Sequence, residues 1–256
     1  MKVSSLETDV TMCKKYGFYG LEMQTALMDP YMSAHSPDDL KTLFAGSGVK
    51  ALPVNAFTDF NLPMEGHAAR LRYLCECARA AGTDTVILVP ALQNISQEET
   101  VKAIKGYTGI ASEYGVTLAL ELLGFAESSV RTLHEAVSIA DQIPGLRLVL
   151  DCAHIMAGNT DLSDILKLDP ERIAAVHIND LIMKPSGVYS DSDRVWPGDG
   201  NMSLAEIFGN LKTIKYNGIV SIELFNEEYW KWPVDDIFAE AMRKTKAFIE
   251  NTVNSH

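Results

Sequence analysis

Short apolar runs alternate with amphipathic segments along nearly the whole chain. The apolar runs are rich in β-branched residues and predict seven strands, at residues 20–23, 49–55, 85–90, 116–122, 146–151, 173–178 and 219–224. Capping and glycine stop signals between them predict helices, at residues 65–81, 132–142, 162–168, 204–215 and 235–251, with two more that begin at Ser36 and Ser96. Continuous apolar strands separated by helices are typical of a parallel sheet covered on both faces.

The order of these elements indicates an α/β fold of one domain. Neither a linker nor a low-complexity run divides the 256 residues, and (β/α)8 TIM barrels typically have ~250 residues. We therefore expect a single TIM-barrel domain over residues 1–256. Eight strands close such a barrel, and the first is short here, because only residues 2–5 precede the first helix.

The charge balance narrows the range of partners. Acidic residues outnumber basic residues by 34 to 22, which gives a net charge of −12. Surfaces that bind nucleic acid or anionic membranes are usually basic, so we expect neither partner. No apolar run approaches the ~18 residues of a membrane helix, and the N-terminus lacks an apolar signal core, which predicts a cytoplasmic protein. The four cysteines are expected to be small buried side chains in a reducing compartment.

Four of the predicted strands carry a metal-binding type of side chain at their ends. These are, in chain order, Glu121, Asp151, His177 and Glu223. A charged group at the end of an apolar strand is costly to desolvate and needs a partner. Each residue alone fits a strand-end salt bridge or a core histidine. Because four consecutive strands each supply one such side chain, we favour a divalent cation shared by all four at the carboxyl ends of the strands.

Two further places are candidates for ligand contact. His154 follows Asp151 by three residues and could be a metal ligand, a substrate contact or a helix cap; we favour a contact with the substrate or with a metal ligand. Residues 179–201 form one long connection, which contains Arg194 and Trp196. A guanidinium binds oxygen-rich ligands and an indole ring can wall a pocket, so we interpret this connection as an active-site loop. The alternative is a surface turn with an Arg–Asp pair.

Five segments resemble the sugar isomerase/epimerase superfamily of xylose isomerase-like barrels, and within it the inosose isomerases (2-keto-myo-inositol isomerases). They are residues 120–122 (LEL), 149–154 (VLDCAH), 176–180 (VHIND), 193–200 (DRVWPGDG) and 220–229 (VSIELFNEEY). The last two are the most specific, because the wider superfamily shares only the scattered ligands. Weaker similarity extends over nearly the whole chain.

The resemblance implies a (β/α)8 barrel with one divalent cation, Mn²⁺, Zn²⁺, Mg²⁺ or Co²⁺, held by Glu121, Asp151, His177 and Glu223. It also implies that His154 and Arg194 contact substrate or bound water. Trp196, Asn55 and His67 are further predicted substrate contacts. The chain departs from the family in two places. Asn179 stands where the family usually has Asp, and the first strand is shorter, so that either the barrel is incompletely closed or the start site is mis-set.

The function implied is that of a metal-dependent isomerase or epimerase of ketoses or inososes. Such an enzyme removes a weakly acidic proton beside a carbonyl, and a metal ion stabilises the resulting enediolate. Glu121 and Glu223 are the predicted acid–base pair. The expected partner is a sugar or cyclitol ketone, and a homo-oligomer is left open.

Two alternatives remain at this point. One is an endonuclease IV-like metal-dependent phosphodiesterase, which typically needs more histidines and a basic surface. The other is a sugar-binding relative without turnover, against which the full set of four ligands argues.

Overall fold

The computed structural model describes residues 4–253. Its main sheet has seven parallel strands, which are β1 (Gly20–Gln24), β2 (Lys50–Thr58), β3 (Thr85–Val89), β4 (Thr117–Glu121), β5 (Arg147–Asp151), β6 (Ile173–Ile178) and β9 (Ile219–Ile222). A small antiparallel sheet consists of β7 (Asp180–Leu181) and β8 (Arg194–Val195). The α-helices are α1 (Leu6–Tyr16), α2 (Thr25–Ala34), α3 (Pro37–Ser47), α4 (His67–Ala81), α5 (Gln97–Glu113), α6 (Leu133–Ala140), α7 (Cys152–Ala157), α8 (Leu204–Thr213) and α9 (Val234–Val253).

The main sheet runs in chain order, β1-β2-β3-β4-β5-β6-β9, and at least one helix or helical turn separates each strand from the next. All seven predicted strands are confirmed, as is the TIM-barrel fold, which here is nearly closed. One predicted helix differs: the segment at 162–168 is a 3₁₀ helix, Leu162–Lys167, which Asp161 caps by accepting a hydrogen bond from the Ser163 amide. Helix α2 was not predicted, because Pro30 interrupts its pattern.

Two apolar layers hold the barrel together. The inner layer takes one small or β-branched side chain from each of five adjacent strands, namely Ala56, Ile87, Ala119, Val149 and Ala174. The outer, larger layer lies between the sheet and the helices, and its fully buried members include Leu71 from α4 and Ile104 from α5. All four cysteines are free and buried, as predicted. No helix within residues 4–253 is long and apolar enough to cross a membrane.

The barrel is open along one side, between β1 and β9, and we call this opening the seam. Each of these strands is paired on one edge only within the described residues. The seam contains a cavity of about 780 Å³, lined by β1 and β9 and covered by α1 and α9. The predicted first strand was placed at residues 2–5. Residues 2 and 3 lie outside the described residues, and Ser5 is the N-cap of α1, where its side chain accepts a hydrogen bond from the Thr8 amide.

Candidate metal centre

Four side chains from four strands meet inside the barrel at its carboxyl end. Glu121 ends β4, Asp151 ends β5, His177 lies near the end of β6 and Glu223 follows β9. One potential ligand atom from each lies within 4.8 Å of the other three. The first three residues are buried, and the Glu223 side chain is 12% exposed. The structure therefore brings together all four predicted metal ligands.

Strand register explains why these residues share one face. Asp151 and His177 are Cα partners in neighbouring strands. Glu121 is the Cα partner of Val149, which precedes Asp151 by two residues on β5. Side chains two residues apart on a strand point to the same side of the sheet. Ser221 is the partner of His177, so Glu223, two residues further on, also points into the barrel.

The His177 ring lies between carboxylates on both sides. Its Nδ1 is 3.0 Å from Glu121 Oε1 and 3.3 Å from Glu223 Oε2, while its Nε2 is 3.1 Å and 3.2 Å from the two oxygens of Glu22. Burial alone would lower the pKa of His177, but Glu22, Glu223 and Glu121 hold that pKa well above its usual value. The protonated, positively charged form of His177 is therefore the one that these carboxylates favour when no cation is bound.

The two glutamates that flank Nδ1 have oppositely shifted pKa values. Burial is the main cause that raises the pKa of Glu121 to about 7, and the charges of Glu223 and Asp151 add to it. Burial acts in the same direction on Glu223, but His177 and Arg194 hold its pKa well below the usual value. One site therefore holds a carboxylic acid that can keep its proton near neutral pH and a carboxylate that stays ionised.

Arg194 on β8 is the second cation of the cluster and is almost completely buried. Its Nη1 donates to Asp151 Oδ2 at 2.8 Å and to Glu223 Oε2 at 3.1 Å, and its Nη2 donates to Asp191 Oδ1 at 2.8 Å. Burial would lower the pKa of Arg194, but Asp151 and Glu223 keep it above its usual value. A buried guanidinium needs such partners, so Arg194 and the carboxylates fix one another in place.

The predicted active-site loop is held against the barrel by Asp180 on β7. Its Oδ2 accepts hydrogen bonds from the amides of Gly198 and Gly200, both at 3.1 Å. The approach at Gly200 is so close that a Cβ atom there would lie 2.3 Å from Asp180 Oδ1. Only glycine fits at this position, and the resulting loop geometry keeps β8, with Arg194, beside β7.

Two neighbours besides Arg194 hold Asp151 in one orientation. Its Oδ1 accepts from the His154 amide at 2.9 Å, and its Oδ2 accepts from Asn179 Nδ2 at 3.0 Å. His154 Nε2 lies 3.0 Å from Arg194 Nη2, and because a guanidinium only donates, Nε2 must accept. Burial lowers the pKa of His154, which agrees with this neutral form. The departure at Asn179 thus supplies a hydrogen-bond donor that an ionised Asp would lack.

Two residues of β1, Glu22 and Gln24, complete the cluster and were not predicted. Glu22 is 8% exposed and faces His177 Nε2. Gln24 Nε2 donates to Glu223 Oε1 at 3.1 Å. Asn55, a predicted substrate contact on β2, donates from Nδ2 to Glu22 Oε2 and to Glu223 Oε1, each at 3.1 Å. The sequence signal for Glu22 was an acid inside a short predicted strand, and Gln24 follows that strand without any such signal.

The last two predicted substrate contacts have different surroundings. Trp196 is buried and stacks on Tyr229 with ring centroids 4.7 Å apart, which forms an apolar wall beside Arg194. His67 begins α4, and its Nδ1 lies 3.3 Å from the Tyr107 hydroxyl. Its described contacts connect it to α5 and β2, and the structure does not bring it to the cluster.

Comparison with known proteins gives consistent results. A family model described as "Xylose isomerase-like TIM barrel" matches residues 10–248. The chain is 32% identical to an inosose isomerase of Halalkalibacterium halodurans, over 99% of this chain and 93% of that protein. It is also 32% identical to an inosose isomerase of Bacillus subtilis (strain 168), over 94% and 92% of the two chains.

A solved structure has nearly the same fold. A crystal structure of "IOLI protein with a binding zinc atom" superposes with a TM-score of 0.91 and 30% sequence identity, and the match covers 97% of this chain and 94% of that one. Sequence and fold therefore agree over almost the whole length. The chain belongs to the xylose isomerase-like TIM barrel family and is an enzyme.

Proposed function

We propose that the chain is a divalent-metal-dependent isomerase or epimerase of ketoses or inososes. The observation that carries this proposal is the cluster of Glu121, Asp151, His177 and Glu223, in which two glutamates of opposite pKa shift adjoin one candidate cation site. Similarity to inosose isomerases over nearly the whole chain supports a cyclitol ketone as the substrate.

The donor set fits one divalent cation. Three carboxylates and an imidazole nitrogen suit Zn²⁺, Mn²⁺, Mg²⁺ or Co²⁺, and the zinc-containing relative supports zinc among them. The raised pKa of Glu121 reflects burial and crowded negative charge, which a cation would relieve. We propose that Glu121, Asp151, Glu223 and Nδ1 of His177 hold it. When bound, it would supply positive charge beside the substrate oxygens and so acidify the neighbouring C–H bond.

The chain's own residues then move the protons. Glu223, ionised at neutral pH, takes the proton from the carbon beside the carbonyl. Glu121, on the same side of the His177 ring as Glu223, returns a proton to the product. Positioned acid–base catalysis of this kind typically contributes 10²–10⁴-fold to a rate.

Five side chains stay predicted substrate contacts, which are His154, Arg194, Asn55, Trp196 and His67. The first three border the cluster. A cytoplasmic location and the lack of a nucleic-acid partner also stay predictions, and the oligomeric state stays open.

The alternatives have weaker support. A phosphodiesterase of the endonuclease IV type would use more histidines, and this cluster contains one, in a chain with a net charge of −12. A sugar-binding relative without turnover would have no need for two glutamates with divergent pKa values beside the ligand site.

The test is NMR of metal-loaded protein in D₂O with 2-keto-myo-inositol and a panel of ketoses. We expect metal-dependent incorporation of deuterium beside the carbonyl and the appearance of an isomer. Metal-free protein is the control. Binding of the ketone without deuterium exchange, in protein that holds metal, would favour the binding relative, and cleavage of abasic DNA would favour the phosphodiesterase.

A further inference from the structure

Glu22 on β1 makes a contact that the proposed reaction does not use. Both of its oxygens lie within 3.2 Å of His177 Nε2, on the opposite side of the ring from Glu121 and Glu223. The carboxylate is buried and is itself held by Asn55 Nδ2 at 3.1 Å. A buried acid with a fixed orientation and a single imidazole as its target needs a structural or chemical explanation.

The two nitrogens of the His177 ring have different tasks. A histidine binds a cation through an unprotonated nitrogen, and in this cluster that atom is Nδ1, which faces Glu121 and Glu223. The neutral ring then carries its hydrogen on Nε2. That hydrogen is buried and needs an acceptor, and among the described residues the atoms within hydrogen-bond distance of Nε2 are the oxygens of Glu22.

We propose that Glu22 is a positioning residue, whose carboxylate accepts the Nε2–H of His177 and so presents Nδ1 to the cation. The inference rests on the proposed metal site and adds to it the residue that fixes the tautomer and the ring orientation. A negative acceptor also makes the ring a stronger donor to the metal ion, and loss of such a partner typically lowers metal affinity 10–100-fold.

The role differs from that of a fifth ligand. Glu22 oxygens face the outer nitrogen, so the ring stands between them and the other three carboxylates. Glu22 therefore acts through His177, and its effect should follow the strength of the hydrogen bond that it accepts.

The experiment is a zinc titration against a chromophoric chelator with wild-type protein, E22Q and E22L. E22Q keeps a neutral acceptor of the same length, and E22L keeps the volume without an acceptor. We expect zinc affinity to fall in steps, about tenfold for E22Q and about 100-fold for E22L. The control is E227Q, which removes one exposed carboxylate from the loop after β9 and should leave the affinity unchanged.

A second readout separates positioning from general stability. Nitrogen-15 NMR of the zinc-loaded wild type should show a metal-bound Nδ1 and a protonated Nε2 on His177, and E22L should lose the hydrogen-bonded Nε2–H signal. Circular dichroism of each variant verifies folding. If wild type binds zinc and both variants bind it equally well, the role of Glu22 is wrong while the metal site stands. If wild type binds no divalent cation, the metal site itself is wrong.

Discussion

Strands β4, β5 and β6 are each paired on both edges, whereas β1 and β9 are each paired on one edge only as far as residues 4–253 are concerned. All six residues of β6 are buried, but no residue of β9 is, and Val220 is 38% exposed. The candidate metal centre draws on both regions. Glu121, Asp151 and His177 come from the paired wall, and Glu223 comes from the seam.

The two regions hold their ligands by different means. In the wall, backbone hydrogen bonds between neighbouring strands set the positions of the ligands, so register and side-chain alternation are sufficient. At the seam, side chains do most of this work: Gln24, Asn55 and Arg194 each donate a hydrogen bond to the Glu223 carboxylate. The position of Glu223 therefore depends on individual polar contacts, and each of them can be tested alone.

The largest expected effect is on catalysis at the seam. E223Q should lower turnover by about 10²–10⁴-fold and leave the fold intact, because an amide cannot take the substrate proton. E121Q, which changes a residue of the paired wall, should lower turnover by a comparable factor if the two glutamates act as a pair. Steady-state rates with saturating metal measure both, with E227Q as the control. Near-normal turnover of E223Q would remove it from the acid–base role.

A matched pair of substitutions compares the packing of the two regions. Val176 on β6 and Val220 on β9 are Cα partners, and Val176 is fully buried. V176A should reduce the free energy of unfolding by about 2 kcal/mol, because it leaves a cavity, whereas V220A should stay within about 0.5 kcal/mol of wild type. Urea unfolding measures both. Equal losses would mean that the seam is as tightly packed as the wall.

Removal of one side-chain contact should weaken catalysis more than stability. Q24A deletes the Gln24 donor to Glu223 and should lower turnover about tenfold, because small displacements of a reacting group reduce rates steeply. Its unfolding midpoint should stay close to that of wild type. The exposed Gln93 provides a control in Q93A. An unchanged rate in Q24A would show that Asn55 and Arg194 are sufficient to hold Glu223.

The smallest expected effect concerns Asp9 on α1, which lines the seam cavity. Asp9 is 4% exposed, its Oδ1 has no hydrogen-bond partner among the described residues, and burial raises its pKa. A raised folded-state pKa means that stability falls as the pH rises from the unfolded-state value through the folded one. The penalty is complete above both values and partial between them.

D9N removes this penalty. It should raise the unfolding midpoint at pH 8 by roughly 2–4 °C, which corresponds to about 1 kcal/mol for a domain of this size, and should raise it less at a pH close to the usual Asp value of 3.8. E171Q, an exposed surface variant, is the control and should show no such difference between the two pH values. A D9N gain of equal size at both pH values would contradict ionisation as the cause.

The paired wall could be predicted from sequence because local signals are sufficient there. Each apolar run predicts a strand, and the charged residue or histidine at its end predicts a ligand. Parallel pairing then brings the strand ends together, as it does for Glu121, Asp151 and His177. Glu223 was found in the same way. Glu22 carried the same signal but sits in the middle of a short strand, where an acid was not weighed as a ligand partner.

What could not be predicted depends on long-range geometry. The Gln24–Glu223 hydrogen bond joins residues 199 positions apart, and no periodicity reports it. Strands β7 and β8 have two residues each, which is too short for any alternation, so the segment at 179–201 was predicted only as a loop. The segment predicted as an α-helix at 162–168 is the six-residue 3₁₀ helix Leu162–Lys167, and so short a segment offers too few positions for sequence periodicity to separate the two kinds of helix.

The hydrogen bonds of Gln24 and Asn55 to Glu223 cross the seam, and so does the contact of Glu22 with His177. Among residues 4–253, these side-chain contacts connect the two edges of the seam, which no backbone hydrogen bonds between β1 and β9 join. Glu223, which is proposed to take the substrate proton, thus also takes part in the contacts that connect the two edges of the seam. A substitution that removes one of these hydrogen bonds would therefore change both the position of a proposed reacting group and the connection between the two edges of the seam.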